Sequence, residues 1–338
     1  MGAIRPSAKP RVAFIGTGGT MASVGHGPLD LHDYGATGQV LHADEVLERF
    51  PEAREVADVL PVRFSNVPST RMAFPEWREL LLLCDRLAEG EPDLAGIVVG
   101  HGTSSLEETA YFLSLTLKHP LPVVLVGAQR PGSALSTDAG LNLVNAVRVA
   151  ASPEARGLGA LVVLNDEVHA ARDVAKTATA RLQTFRSPDF GCLAHADGDQ
   201  LSWYRRPLRR AAPDTEFDPR GLQALPRVDI AYSYAGSDGA AVRAFRAAGA
   251  EGIVSAGFAP GFVTPEEGGA LREAAAAGVA VAQSTRSGSG RVFPTTRLRE
   301  AGFIPADNLT PQKARVLLAL ALTVTRDPRE IERIFGEY

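Results

Sequence analysis

Two stretches of this sequence combine glycine with hydroxyl side chains in a way that could do chemistry. One is Gly16-Thr17-Gly18-Gly19-Thr20, and the other is Gly100-His101-Gly102-Thr103-Ser104-Ser105. Each follows a short apolar run, Val12-Ala13-Phe14-Ile15 and Ile97-Val98-Val99, so each reads as the turn at the carboxyl end of a buried strand. In an open α/β sheet, ligands bind at that end of the strands. A hydroxyl there becomes a nucleophile when a neighbouring base takes its proton, and a lysine can be that base when burial lowers its pKa. The candidates are Thr20 and Thr103 for hydroxyls, Lys176 in Arg172-Asp173-Val174-Ala175-Lys176-Thr177 for an amine, and Tyr34 in a glycine-containing loop for a phenol.

Each candidate also has a plainer reading. The first turn could cradle phosphate on its backbone N–H groups, but no Gly-Lys-[Ser/Thr] follows, and Met21 stands where Gly-x-Gly-x-x-Gly needs glycine. Thr20 remains open to a substrate because glycines precede it. Ser104 forms Ser-x-x-Glu with Glu107, a capping box that starts a helix, and a cap contributes about 1 kcal/mol. Capping alone would explain Ser104. His101, between two glycines, is expected to be a hydrogen-bonded structural histidine rather than a base. Taken alone, Lys176 is equally a surface lysine, and Tyr34 is an aromatic anchor or a proton carrier. No Gly-x-Ser-x-Gly elbow or Cys-His arrangement competes for the nucleophile role.

The elements that must hold these residues alternate. Strands are expected near 11–15, 59–64, 96–99, 122–126 and 160–164, with helices near 45–50, 75–87, 105–117 and 139–151. Such alternation makes a mostly parallel sheet flanked by helices the economical architecture. Residues 23–37 have no apolar periodicity and read as a lid or binding loop. Residues 184–204 alternate weakly, like antiparallel strands. Composition shifts at 205–226, where prolines, arginines and acids gather, and the cluster Arg205-Arg206-Pro207-Leu208-Arg209-Arg210 reads as a solvated linker. The expectation is therefore a larger N-terminal α/β domain over 1–204, a linker over 205–226, and a smaller C-terminal α/β domain over 227–338. Strands near 228–232, 252–256 and 279–283 would build the second domain, with final helices at 311–323 and 328–335.

Composition narrows the function classes. The chain has 338 residues, 45% hydrophobic and 22% charged, which places it among ordinary globular proteins. A net charge of -4 gives no basic footprint for nucleic acid. Only Cys84 and Cys192 occur, without a disulfide framework or metal-ligand spacing. Met1 to Pro10 lack the apolar core of a secretory signal, and no spanning segment follows. The expectation is a cytoplasmic protein with no membrane or nucleic-acid partner.

Three motifs together point further. Ile15-Gly16-Thr17-Gly18-Gly19-Thr20-Met21-Ala22, Gly100-His101-Gly102-Thr103-Ser104-Ser105-Leu106-Glu107-Glu108-Thr109-Ala110 and Val124-Leu125-Val126-Gly127-Ala128-Gln129-Arg130-Pro131 resemble, in order and spacing, signatures of the bacterial-type L-asparaginase/glutaminase family. The likeness continues through Asn165-Asp166, Arg172 to Thr177, Ile253 to Gly257 and Pro311 to Leu318. The resemblance implies a two-domain α/β hydrolase of small carboxamides that needs no metal or cofactor. It also implies a homo-oligomer, a dimer of intimate dimers, with each site built at the intimate interface. Thr20 matches the nucleophile that forms an acyl-enzyme and releases ammonia, and Tyr34 the mobile-loop tyrosine that assists it. Thr103 and Lys176 match the second threonine and its lysine. Ser69 matches the substrate-binding serine, and Thr70, Gly102, Ser104 and Ala128 fall beside it in the binding positions.

The departures are informative. After the second threonine the family has an aspartate, which pairs with the lysine and holds the substrate's α-ammonium; here Ser104 stands there. Thr70 replaces a glutamine. By a gapped match, Pro260 replaces a second-domain asparagine, and the partner subunit's glutamate falls near Thr295. The lost groups are those that accept hydrogen bonds from an ammonium, so the expected substrate is an amide whose α-amino group is absent or blocked. An ordinary L-asparaginase/glutaminase, and a non-catalytic binding protein on the same fold, are the alternatives.

Overall fold

A computed structural model describes residues 9–338, and the first eight residues, on which part of the signal-peptide expectation rests, lie outside the described residues. The strands are β1 (Arg11–Gly16), β2 (Asp58–Arg63), β3 (Leu94–Gly100), β4 (Val123–Val126), β5 (Ala160–Leu164), β6 (Glu167–Ala170), β7 (Ala175–Lys176), β8 (Phe185–Arg186), β9 (Ala194–Asp197), β10 (Gln200–Trp203), β11 (Val228–Tyr232), β12 (Gly252–Gly257), β13 (Ala280–Thr285) and β14 (Phe303–Pro305). The N-terminal domain holds an eight-stranded sheet in the order β10-β9-β6-β5-β4-β3-β1-β2. Its strands from β2 to β5 are parallel, while β6, β9 and β10 add an antiparallel edge. The smaller C-terminal domain holds a four-stranded parallel sheet, β11-β12-β13-β14.

The apolar runs form central strands because both of their faces are covered. Alternate residues point to opposite sides. Ala13, Ile15, Ile97, Val99 and Leu125 pack against the helices Phe74–Gly90 and Leu106–Thr116. Val12, Phe14, Val98, Val124 and Val126 pack against Ala43–Arg49 and Ala139–Ala151. Burying one such side chain contributes about 1.5–3 kcal/mol, so a one-residue slip of any central strand would be costly. The first of these cores runs on into the C-terminal domain through Val316, Leu317 and Leu320 of the helix Pro311–Ala321 to Val254 and Ala282. No helix of the described residues is long and apolar enough to cross a membrane.

Strand order reverses between β1 and β3, since the chain leaves β1 for β2 on one side and returns to β3 on the other. This is the topological switch point at which doubly wound sheets bind ligands. Two readings of the sequence change here. Glu167–Ala170, which lies outside the expected strands, forms an antiparallel strand because it folds directly back on β5. The arginine cluster is exposed at Arg206 and Arg210 yet anchored along its length: Arg205 donates to Cys192 O at 2.8 Å, Arg206 to Glu154 O at 3.1 Å, Arg209 to Asp307 at 2.6 Å and Arg210 to Glu337 at 3.0 Å. Residues 204–227 otherwise carry neither helix nor strand.

Candidate active site

The two glycine-rich turns meet because β1 and β3 end in register, Gly16 opposite Gly100. Thr17 fastens them, donating from its N–H and its hydroxyl to Gly100 O at 3.0 and 2.9 Å. Beyond this, Gly19 has φ 84° and lies so close to Gly102 that a Cβ would overlap the Gly102 backbone. Any side chain at Gly19 would be strained and would force the turns apart. Gly102 abuts Ser69 in turn, where a Cβ would meet the Ser69 hydroxyl at 2.7 Å. Three loops therefore converge, the two turns through their backbones and the Ser69 loop through the serine side chain.

His101 underpins the second turn. It is fully buried; its Nδ1 lies 2.8 Å from Gly102 O and its Nε2 3.0 Å from Thr109 Oγ1, which accepts from Trp77 Nε1 at 2.9 Å. Since a carbonyl only accepts, Nδ1 carries the proton and Nε2 receives the threonine hydroxyl. Burial pushes the imidazole down to about 4, so it stays neutral and structural. The capping box expected at Ser104 is not formed. The helix starts at Leu106 with Ser105 in the cap position, and the Ser105 hydroxyl donates instead to Ser69 O at 2.6 Å. Ser104 is left exposed at the cavity wall.

Two hydroxyl pairs result. Thr20 Oγ1 lies 3.1 Å from the Tyr34 hydroxyl, which the loop 23–41 carries back over the turn. Thr103 Oγ1, in a residue that is 7% exposed, accepts from Lys176 Nζ at 2.7 Å. Burial pushes the Lys176 ammonium below the ordinary lysine range, and the nearby Glu107 carboxylate pulls it partly back. Glu107 is itself buried, with Oε1 3.4 Å from Lys176 N and 3.3 Å from Gln312 Nε2. Its Oε2 has no hydrogen-bond partner among the described residues. Lys313, fully buried behind it, donates to Arg172 O at 2.8 Å and to Val174 O, and burial lowers its ammonium to about 8. The helix Pro311–Ala321 thus brings the C-terminal domain up to the back of the lysine.

A cavity of about 520 Å³ gathers Thr20, Tyr34, Ser69, Thr70, Gly102, Thr103, Ser104 and Lys176. Ala128 does not line it; that residue is fully buried in the core, and Gln129 reaches the cavity instead. The Gln129 Nε2 donor and the Asn66 Oδ1 acceptor are buried there without partners. No aspartate or glutamate is among the described residues that line the cavity. Pro260 sits in the tight turn between Phe258 and Phe262, and Thr295 caps the short helix Thr296–Glu300, accepting from Leu298 N at 3.3 Å. Neither lines this cavity.

Glu107, Gln129 and Asn66 are the site residues that the sequence reading did not single out for this role. Glu107 had a competing explanation as a capping partner, whereas Gln129 could have been flagged by its position at the tip of β4.

The site can be compared with known proteins. The model of the asparaginase N-terminal domain matches residues 11–209, and that of the glutaminase/asparaginase C-terminal domain matches residues 227–335. L-asparaginase 2 of Bacillus subtilis (strain 168) is 40% identical over 331 residues, covering 97% of this chain and 87% of that protein. The "Probable L-asparaginase periplasmic" of Haemophilus influenzae is 39% identical, with 97% of this chain and 93% of its own length covered. The solved structure of the "Probable Cytoplasmic L-asparaginase" from Campylobacter jejuni superposes with a TM-score of 0.92 at 38% identity, covering 98% of this chain and 100% of that one. The chain belongs to the asparaginase family, whose members are hydrolases of amide C–N bonds.

Proposed function

We propose that this protein hydrolyses a small carboxamide through an acyl-enzyme on Thr20, and that its substrate lacks a free α-amino group or carries it blocked. The observation that carries the reading is the wall of the cavity: hydroxyls, amides and one lysine surround Thr20, with no carboxylate among the described lining residues. An ammonium moved out of water into such a wall would lose its hydration without gaining a countercharge, at a cost of several kcal/mol. A site missing a needed partner rejects by large factors.

In this reading Thr20 Oγ1 attacks the amide carbon while its proton passes to Tyr34, 3.1 Å away. Backbone N–H groups near Thr103 receive the developing oxyanion. The C–N bond breaks as the Tyr34 hydroxyl, which receives the Thr20 proton, gives its own to the nitrogen, and ammonia leaves. Lys176, acting through Thr103, then takes a proton from water as it attacks the ester, which returns the Thr20 hydroxyl and the product carboxylate. No cofactor is called on. The cytoplasm is the proposed location, supported by the name of the Campylobacter jejuni relative, and a dimer of intimate dimers is the proposed assembly.

Hydrolysis of free asparagine or glutamine is the second reading, favoured by the names of the relatives. An ammonia-release screen separates the two. It compares asparagine and glutamine with their des-amino and N-acyl analogues, using wild type and Thr20→Ala. The proposal expects kcat/KM at least tenfold higher for an analogue than for either free amino acid, and near-complete loss in Thr20→Ala. Comparable values would restore the ordinary asparaginase reading. No release from any amide would favour a protein that only binds.

A further inference from the structure

Away from this cavity, the antiparallel edge of the large sheet collects metal-ligating side chains. Glu167 on β6 lies directly opposite His195 on β9, so the two share one face of the sheet. Cys192, just before β9, completes a trio whose donor atoms all lie within 4.8 Å of one another. His169, two residues along β6 on the same face as Glu167, is 1% exposed. Its Nδ1 is 3.0 Å from Ser187 Oγ, while its Nε2 approaches Glu167 Oε2 at 3.2 Å. That contact is not aligned as a hydrogen bond, so a buried imidazole nitrogen points at the cluster unpartnered.

We propose that Glu167, Cys192 and His195 bind a zinc-class divalent cation, with His169 orienting the Glu167 carboxylate. The donor set fixes the class. One thiolate, one imidazole and one carboxylate suit Zn²⁺ or Co²⁺, whereas Ca²⁺ and Mg²⁺ take oxygen ligands. Thiolate and carboxylate together balance the charge of the ion, and a ligating carboxylate is ordinarily held by a hydrogen-bond donor behind it, a part that His169 Nε2, 3.2 Å from Glu167 Oε2 and otherwise unpartnered, can take once the carboxylate turns to the ion. Sequence spacing hides the site, because Glu167 and His195 meet only through strand register.

The site has a structural use. Between β6 and β9 only Glu167–His195 and Val168–Ala194 pair, so a short ladder holds the β9–β10 hairpin to the rest of the sheet. A cation bound from both strands would clamp that join. The cluster shares no residue with the catalytic cavity, so occupancy and turnover can be read separately.

The test is a Co²⁺ titration of the chelator-stripped full chain, followed by Zn²⁺ competition against a chromogenic chelator. Cys84 and Cys192 are the chain's only cysteines, and Cys84 is fully buried in the helix Phe74–Gly90. The wild type is expected to show a thiolate-to-cobalt charge-transfer band that Zn²⁺ displaces. Cys192→Ser should abolish the band, His195→Ala and Glu167→Gln should weaken Zn²⁺ binding more than tenfold, and His169→Ala about tenfold. Near-UV circular dichroism checks that each variant is folded. Should a variant misfold, Zn²⁺ should still slow alkylation of Cys192 in the wild type, mapped by mass spectrometry. Absence of the band in wild type, its survival in Cys192→Ser, Zn²⁺ affinity unchanged in His195→Ala, or alkylation indifferent to Zn²⁺ would each overturn the site.

Discussion

Lys176 Nζ hydrogen-bonds Thr103 Oγ1 at 2.7 Å, and the two are held there by different parts of the fold: Thr103 by the tip of β3, Lys176 by the two-residue strand β7. Such a pair is expected to act as a unit. Thr103→Val and Lys176→Met should each lower kcat by about 10²- to 10⁴-fold. The double variant should be little worse than either single one. Losses that multiply in the double variant would show that the two residues serve separate steps.

Ser104→Asp restores a carboxylate at the cavity wall beside that lysine. The added negative charge favours the Lys176 ammonium, so the acidic limb of the pH–rate profile should move to higher pH. The same variant should raise kcat/KM for free asparagine relative to its des-amino analogue. An unmoved limb would count against Lys176 as the base, and an unmoved ratio would count against Ser104 as a determinant of substrate choice.

Glu107→Gln is expected to move the limb the other way. Glu107 is the carboxylate that raises the lysine's proton affinity against its burial. Removing its charge while keeping its shape leaves desolvation unopposed, so more Lys176 is neutral at a given pH and the acidic limb shifts to lower pH. Measuring kcat against pH in both variants gives a paired test, because a general loss of structure would not move two limbs in opposite directions.

The sequence made much of this arrangement legible and hid a specific part of it. The central strands were readable because they are covered on both faces and so consist of unbroken apolar runs, as in Val123–Val126. β6 was not, since Glu167 and His169 break the pattern in the service of a polar cluster. The cap position falls one residue further on, at Ser105, and its hydroxyl makes no cap because it donates to the Ser69 carbonyl, 36 residues away. Glu107 looked like a helix cap because its other contacts, Lys176 and Gln312, are supplied from 69 and 205 residues along the chain. Local pattern reveals what local structure needs; partners brought in by topology leave no trace in it.

His101 gives a stability prediction. Its imidazole sits at about 4 in the folded protein against an ordinary value near 6.5. Between those values the unfolded chain binds a proton that the folded chain refuses. Stability therefore falls as pH drops from 6.5 to 4, by up to ~3 kcal/mol from this group. His101→Gln should lower stability at pH 7 by about 1–3 kcal/mol through lost hydrogen bonds, and should flatten the slope below pH 6.5. Urea unfolding at a series of pH values measures both, and an unchanged slope would assign the acid sensitivity elsewhere.

The contact of Gly19 with Gly102 carries a consequence for how such a protein can change. The spacing of Thr20 and Thr103, the hydroxyls proposed to react, is written into the main chain, where two turns rest against each other with no side chain between them. Ser104 and Thr70 line the same cavity and take no part in that contact. A lineage can therefore exchange the residues proposed to recognise its substrate one at a time, while the paired turns that carry the proposed machinery are handed on intact.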